Sequence, residues 1–120
     1  MVDAMEFRQV KGEAGDSGDG GGWLSPQPVD SLGIHISFNG DPALRAEVLR
    51  ALPVIEEALE PYAPRHHWGK LAQLTASPFW VATVYGERLR KFRALADLHD
   101  PSGKFRNAHV QSMLFAGKAR

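Results

Sequence analysis

Leu32-Gly33-Ile34-His35-Ile36-Ser37-Phe38-Asn39-Gly40-Asp41-Pro42 sets out a strand, a turn and the opening of a helix in one run. Ile34, Ile36 and Phe38 alternate with His35 and Ser37, the period-two pattern of a strand with one apolar and one polar face. Asn39-Gly40 stops the strand. Asp41-Pro42 opens a helix: the carboxylate can accept from free N–H groups of the first turn, and Pro at the first helical position gives up no hydrogen bond. Leu44, Val48, Leu52, Ile55 and Leu59 then recur at helical spacing, which predicts an amphipathic helix over about residues 42–60. Pro53 is expected to kink or divide that helix, and Pro61 and Pro64 to end it.

Working upstream, residues 4–10 mix apolar and polar positions as a second strand would, which predicts an antiparallel sheet flanked by helices, an α+β fold. Between the strands, residues 11–22 hold glycines 12, 15, 18, 20, 21 and 22 and no large apolar side chain, so a mobile loop is expected. A phosphate-binding reading fails there, because no Gly-Lys-Ser/Thr follows and no helix opens behind it. Downstream, residues 79–84 read either as a strand or as the lead-in to a helix. Tyr85, Leu89, Phe92, Leu95 and Leu98 place a helix near 84–98. Asp100-Pro101-Ser102-Gly103 is a turn, residues 107–115 a last short helix, and residues 116–120 a frayed tail.

The chain has 120 residues, enough for one domain, and its 43% hydrophobic and 23% charged residues are ordinary for a globular protein. Lys+Arg and Asp+Glu both number 14, so no excess positive charge points to nucleic acid or an anionic membrane. There is no cysteine, which excludes disulfides, thiolate metal sites and cysteine nucleophiles. Residues 1–6 have neither the basic start nor the apolar run of a secretory signal, and no segment is apolar enough to cross a membrane. A cytoplasmic protein is the expectation.

Two polar groupings stand out. Glu6 and Arg8, and likewise His35 and Ser37, are two apart on predicted strands and so share a face. If the strands pair, one face carries Glu, Arg, His and Ser, while Phe7, Ile34, Ile36 and Phe38 line the other. Such a face is either the wet side of an ordinary antiparallel sheet or a polar floor for a hydroxylated ligand. Arg65-His66-His67-Trp68-Gly69-Lys70 is the second grouping. Gly lets a flat ligand approach the backbone, Trp gives a rigid wall, and Lys supplies a cation for developing negative charge. A surface loop with a stacked Trp is the plainer alternative. A zinc site from His35, His66 and His67 is disfavoured because adjacent histidines converge poorly, and no Gly-x-Ser-x-Gly elbow supports a serine hydrolase.

These residues carry a family resemblance. His67-Trp68-Gly69-Lys70 follows Glu56-Glu57-Ala58-Leu59-Glu60-Pro61-Tyr62; Leu98-His99-Asp100-Pro101-Ser102-Gly103-Lys104-Phe105-Arg106-Asn107 is similar to a Leu-x-Asp-Pro-x-Gly-x-Phe-x-Asn closing pattern. Glu6-Phe7-Arg8 is similar to a Glu-x-Arg active-site strand, and Trp23-Leu24-Ser25-Pro26 precedes Gly33-Ile34-His35-Ile36-Ser37-Phe38. In this order and spacing, residues 5–115 resemble the C-terminal region of the aldonolactone and alditol oxidase group of vanillyl-alcohol-oxidase-type flavoenzymes, which includes D-arabinono-1,4-lactone, L-gulonolactone, xylitol and sorbitol oxidases. The departures are the longer glycine-rich connection, His66 in place of the group's usual Pro, Tyr85-Gly86-Glu87 in place of Tyr-Pro-Arg, and a poor match over 75–84. The group's N-terminal flavin-binding domain has no counterpart in these residues.

The resemblance implies residues 1–115 as a substrate or cap region of an FAD-dependent enzyme that oxidises a CH–OH group of a polyol or aldonolactone, passing hydride to flavin N5, with oxygen or another final acceptor. It implies Arg8 and Lys70 as cations near the reacting oxygen or the reduced flavin, and Glu6 as a partner for substrate hydroxyls that also holds Arg8. His35 would bind the reacting hydroxyl or assist proton removal, Ser37 would bind a neighbouring hydroxyl where the group often has Thr, and His67 would lie beside the flavin. Arg8, Lys70 and His35 all remain candidates for the base. The isolated chain is expected neither to hold FAD tightly nor to turn over. A separate flavin-binding chain, or self-association through an exposed apolar face, is the expected partnership; the alternative is a non-catalytic remnant or interaction module that keeps the fold.

Overall fold

A computed structural model describes residues 2–13 and 21–116. Residues 14–20 of the expected mobile loop and 117–120 of the expected frayed tail lie outside them. The fold is α+β: strands β1 (Val2–Val10) and β2 (Ser31–Phe38) form an antiparallel pair, followed by helices α1 (Arg45–Leu59), α2 (Pro78–His99) and α3 (Ala108–Leu114).

Side-chain parity is as the alternation predicts. Glu6 stands opposite His35, Arg8 opposite Gly33, and Ala4 opposite Ser37, while Met5 and Phe7 face Ile36 and Ile34 on the other side. A register shift between Val2 and Ala4 bends the start of β1. The glycine-rich connection is tied at its base, where Glu13 N donates to Gln27 O (3.0 Å) and Gly12 N to Asp30 Oδ1 (2.8 Å). At Gly12 a Cβ would sit 2.4 Å from the Val29 carbonyl carbon, so only glycine fits that approach.

Asp41 caps as expected, accepting from Ala43 N at 2.9 Å, and a 3-10 turn over Pro42–Leu44 leads into α1. Pro53 does not divide the helix. Its missing N–H leaves the Leu49 carbonyl without a helical donor, and the side-chain amide of Gln73 donates to that carbonyl instead.

α2 begins at Pro78, six residues before the expected start. Residues 79–84 are therefore helix and not strand, because Ser77 Oγ accepts from Trp80 N (3.2 Å) and Pro78 takes the first helical position. Gly86 interrupts the helix with φ 45° and ψ −120°, a conformation that side-chain-bearing residues rarely adopt. α3 is capped by Asn107, whose Oδ1 accepts from Val110 N at 2.8 Å.

The core lies between α2 and α3. Val81, Tyr85 and Leu89 pack with Met113, Leu114 and Phe115, and Leu24, Trp68 and Phe92 close around them. The hairpin stands apart: Met5 is 51% exposed, Phe7 60% and Leu32 59%. Among the described residues its apolar face is open around Met5, Phe7, Leu32 and Ile34, while Ile36 and Phe38 are half-buried.

Candidate active site

The polar face of the hairpin brings three of the sequence-selected residues together. Arg8 Nη2 donates to Glu6 Oε2 at 2.6 Å, and His35 Nδ1 lies 3.8 Å from the same oxygen. Arg8 and Glu6 meet as residues two apart on one strand, and the strand pairing sets His35 opposite Glu6. The Glu6 carboxyl is held below its usual range, mainly by its hydrogen bond and charge interaction with Arg8 and secondarily by His35. Ser37 follows two positions after His35 on the same face. The group is open to solvent, with Arg8 71% exposed at its side chain. An anionic carboxylate flanked by a guanidinium and an imidazole can accept from one hydroxyl of a polyol and donate to the next.

Lys70 and His67 lie on the loop between α1 and α2. Lys70 N donates to His67 O (3.0 Å), and Gly69 N to His67 Nδ1 (3.0 Å), so His67 shapes the tight turn that carries Lys70. Both side chains are exposed. Among the described residues no hydrogen bond or ion pair joins either of them to the hairpin's polar face. The sequence-selected site is thus in two parts, a strand cluster and a loop cation.

Trp68 explains how the loop is held. Its Nε1 donates to Leu24 O at 2.8 Å, and its ring meets Tyr85 at 5.4 Å and His66 edge-on at 4.8 Å. Arg65 donates to Ser25 O (3.2 Å) and Val84 O (2.9 Å) and lies 4.7 Å above the Tyr85 ring. These two side chains clamp the segment around Leu24 and Ser25 between the loop and α2. Sequence reasoning gave Arg65 no role, and the feature that hinted at one is its place beside the Trp-Gly-Lys turn.

Glu56 on α1 was likewise missed. Its carboxylate accepts from Gln73 N (3.0 Å), Leu74 N and the Thr75 hydroxyl (3.0 Å), organising residues 73–75. The Asp100-Pro101-Ser102-Gly103 turn has a similar logic: Asp100 accepts from Lys104 N (2.7 Å) and Phe105 N (3.1 Å), and Gly103 adopts φ 69°. Arg106 then pairs with Asp97 at 3.0 Å and stacks 4.0 Å from the Phe115 ring.

An open depression of about 360 Å³ is lined by Leu24, Trp68, His109, Val110, Met113 and Leu114. Its lining is almost wholly apolar, so it suits a polyol poorly.

His66 yields a pH prediction. Its Nε2 is buried without a hydrogen-bond partner, and burial pushes the imidazole below the ordinary histidine value of 6.5, opposed by a backbone hydrogen bond at Thr75 and by Glu56. The unfolded chain therefore takes up this proton first. The stability is fully present above about pH 6.5 and falls as pH drops through the lowered folded value. Urea melts at stepped pH should record that loss, and His66→Asn should flatten it.

Comparison with known proteins agrees with the motifs. A family model described as D-arabinono-1,4-lactone oxidase matches residues 34–113, a span that includes His35, Ser37, His67 and Lys70 and begins after β1. The alditol oxidase of Streptomyces sp. (strain IKD472 / FERM P-14339) is 40% identical over 93 residues, which cover 77% of this chain and 21% of that protein. The chain thus aligns with about a fifth of the length of this relative. No solved structure matches. No helix among the described residues is long and apolar enough to cross a membrane. With two thirds of its length inside the family match, this chain belongs to the D-arabinono-1,4-lactone oxidase family.

Proposed function

We propose that residues 1–115 form the substrate-facing part of an FAD-dependent oxidoreductase that oxidises a CH–OH group of a sugar alcohol or aldono-1,4-lactone. The observation that carries this reading is Glu6, its carboxylate hydrogen-bonded to Arg8 and 3.8 Å from His35 on an open sheet face. Oxidising a carbinol removes the hydroxyl proton and the hydride on the same carbon. When bound, the flavin supplies the hydride acceptor. The chain's own residues act on the oxygen: Arg8 and Lys70 stabilise the negative charge that grows there, and His35 takes the hydroxyl proton. Glu6 fixes Arg8 and binds an adjacent hydroxyl, and Ser37 binds the next.

The donor set fits one edge of a flavin and not the whole cofactor. Lys70 presents an exposed ammonium and His67 an exposed imidazole on one turn, groups suited to the ring's polar edge. No glycine-rich loop running into a helix, as a pyrophosphate would need, is found among the described residues. The reading therefore requires a flavin-binding portion beyond these 120 residues, on the same polypeptide or another. Oxygen is the final acceptor in this reading, and the cytoplasm its setting.

The test is retention of colour. The chain mixed with FAD and desalted should emerge colourless, whereas co-expression with a family flavin-binding portion should give a yellow complex that co-elutes with it. A yellow chain on its own, or a flavin-binding portion that never co-elutes with it, contradicts the proposal.

A further inference from the structure

We propose that His67 is a positioning residue for Lys70: its neutral imidazole locks the turn that presents the ammonium, and a proton on that ring unlocks it. The use made of Lys70 rests on the flavoenzyme reading; the lock itself does not. Two bonds close the turn, Lys70 N donating to His67 O (3.0 Å) and Gly69 N to His67 Nδ1 (3.0 Å). The second needs a bare ring nitrogen. A neutral imidazole that accepts at Nδ1 carries its proton on Nε2, whereas an imidazolium carries one on each nitrogen and accepts nothing. Protonating His67 therefore sets an N–H against the Gly69 N–H, and turning the ring over gives no relief. The ring is also seated on the backbone, for a Cβ at Gly69 would lie 3.4 Å from His67 Cε1.

The chain builds the same kind of turn elsewhere from oxygen. Asn39 Oδ1 accepts from Asp41 N (2.9 Å), Asp41 Oδ1 from Ala43 N (2.9 Å) and Ser25 Oγ from Gln27 N (3.0 Å), each two residues on. Those oxygens still accept in acid, whereas the imidazole loses its one acceptor when it takes up a proton. The titratable and charged groups about the turn are His66, which interacts with His67, with Glu56 of α1 and with His109 of α3, and Arg65 and Lys70 on the loop itself. From α2, Tyr85 lies against the Trp68 ring. The two adjacent histidines divide the work. His66 has its Nε2 buried in the packing, so its proton bears on overall stability, and the proton of His67 bears on the turn. Unlocking leaves the turn with the bond from Lys70 N alone, and the stem of the ammonium loses its fixed starting point. The proposed site thus has an acid limit that belongs to the loop and not to the reacting groups.

Hydrogen exchange of the isotopically labelled, flavin-free chain, followed by NMR, reads the lock directly. From about pH 8 to about pH 5 the protection of the Gly69 amide, corrected for its intrinsic rate, should fall by about threefold to tenfold, the contribution of one hydrogen bond. The Lys70 amide should follow it. His67→Asn places an amide oxygen where Nδ1 sat, so it should hold the protection across that range, and His67→Ala should lack it throughout. All three chains keep His66, so a loss of overall stability in acid is common to them and cannot produce the difference. Gly69 protection that is flat in the parent, or that falls equally in His67→Asn, overturns the proposal. So does a His67→Ala chain as protected as the parent at about pH 8. In the flavin-loaded assembly the rate of flavin reduction is compared as the ratio of parent to His67→Asn, which cancels the titration of His35. That ratio should fall by about threefold to tenfold over the same range. A ratio that is constant or rises in acid overturns the positioning of Lys70. An assembly that no polyol reduces counts against the flavoenzyme reading alone, and the exchange data still decide the lock.

Discussion

Glu56→Ala is expected to lower the stability of the chain by about 3 kcal/mol. The carboxylate accepts from the backbone at Gln73 and Leu74 and from the Thr75 side chain. Thr75 is only 5% exposed, so water cannot readily replace the lost acceptor there. The effect should spread, because Gln73 also donates to the Leu49 carbonyl that Pro53 leaves free. Loosening residues 73–75 thus weakens α1 at its proline and the Ser77 cap of α2 together. Glu56→Gln keeps one acceptor oxygen but turns an NH2 group toward backbone donors, and should fall between the two. Urea unfolding followed by tryptophan fluorescence checks this. A Glu56→Ala midpoint equal to that of the parent would mean that the carboxylate does not organise the loop.

The second large effect concerns the proposed chemistry. In a flavin-loaded assembly, Arg8→Ala should slow flavin reduction at saturating polyol by about 100- to 1000-fold, the cost of removing one preorganised donor from a developing oxyanion. Arg8→Lys should recover part of the rate, since it keeps the charge but loses the planar two-pronged donor geometry. Glu6→Gln should act differently, raising KM more than it lowers kcat, because its carboxylate binds ground-state hydroxyls and holds Arg8. Stopped-flow reduction under anaerobic conditions separates these outcomes. Equal rates for the parent and Arg8→Ala would remove Arg8 from the reacting oxygen.

The contrast between these residues shows what local sequence can and cannot carry. Strand parity alone sets Glu6 beside Arg8 and His35 beside Ser37, which needs no knowledge of the fold, and their sharing one face follows once the strands pair. That Glu6 meets His35 and not Ser37 depends on register, set by a connection that local periodicity does not define. Arg65 reaches Ser25 across 40 positions and Glu56 reaches Leu74 across 18, and no short-range pattern announces either contact. That α1 runs undivided through Pro53 is hidden for the same reason, since Gln73, which serves the freed Leu49 carbonyl, lies 24 positions away. The early start of α2 was legible in Ser77-Pro78, but the apolar run of residues 79–84 fits a strand as well as a helix.

The family motifs also acquire physical meaning. Leu24 and Ser25 supply the carbonyls that Trp68 and Arg65 grip, so the Trp23-Leu24-Ser25-Pro26 and His67-Trp68-Gly69-Lys70 stretches are two halves of one clamp. Asp100, Gly103 and Asn107 build the turn and cap that deliver α3 to the core. Much of what identifies the family here is scaffolding, and the proposed chemistry rests on the few polar side chains it leaves exposed.

The most direct measurement is anaerobic addition of a polyol or aldonolactone to the complex of this chain with a family flavin-binding portion, followed by the flavin absorbance. The account predicts that the oxidised flavin band bleaches with the parent chain, bleaches far more slowly with Arg8→Ala, and returns when oxygen is admitted. A stable yellow complex that no polyol or aldonolactone bleaches would contradict it.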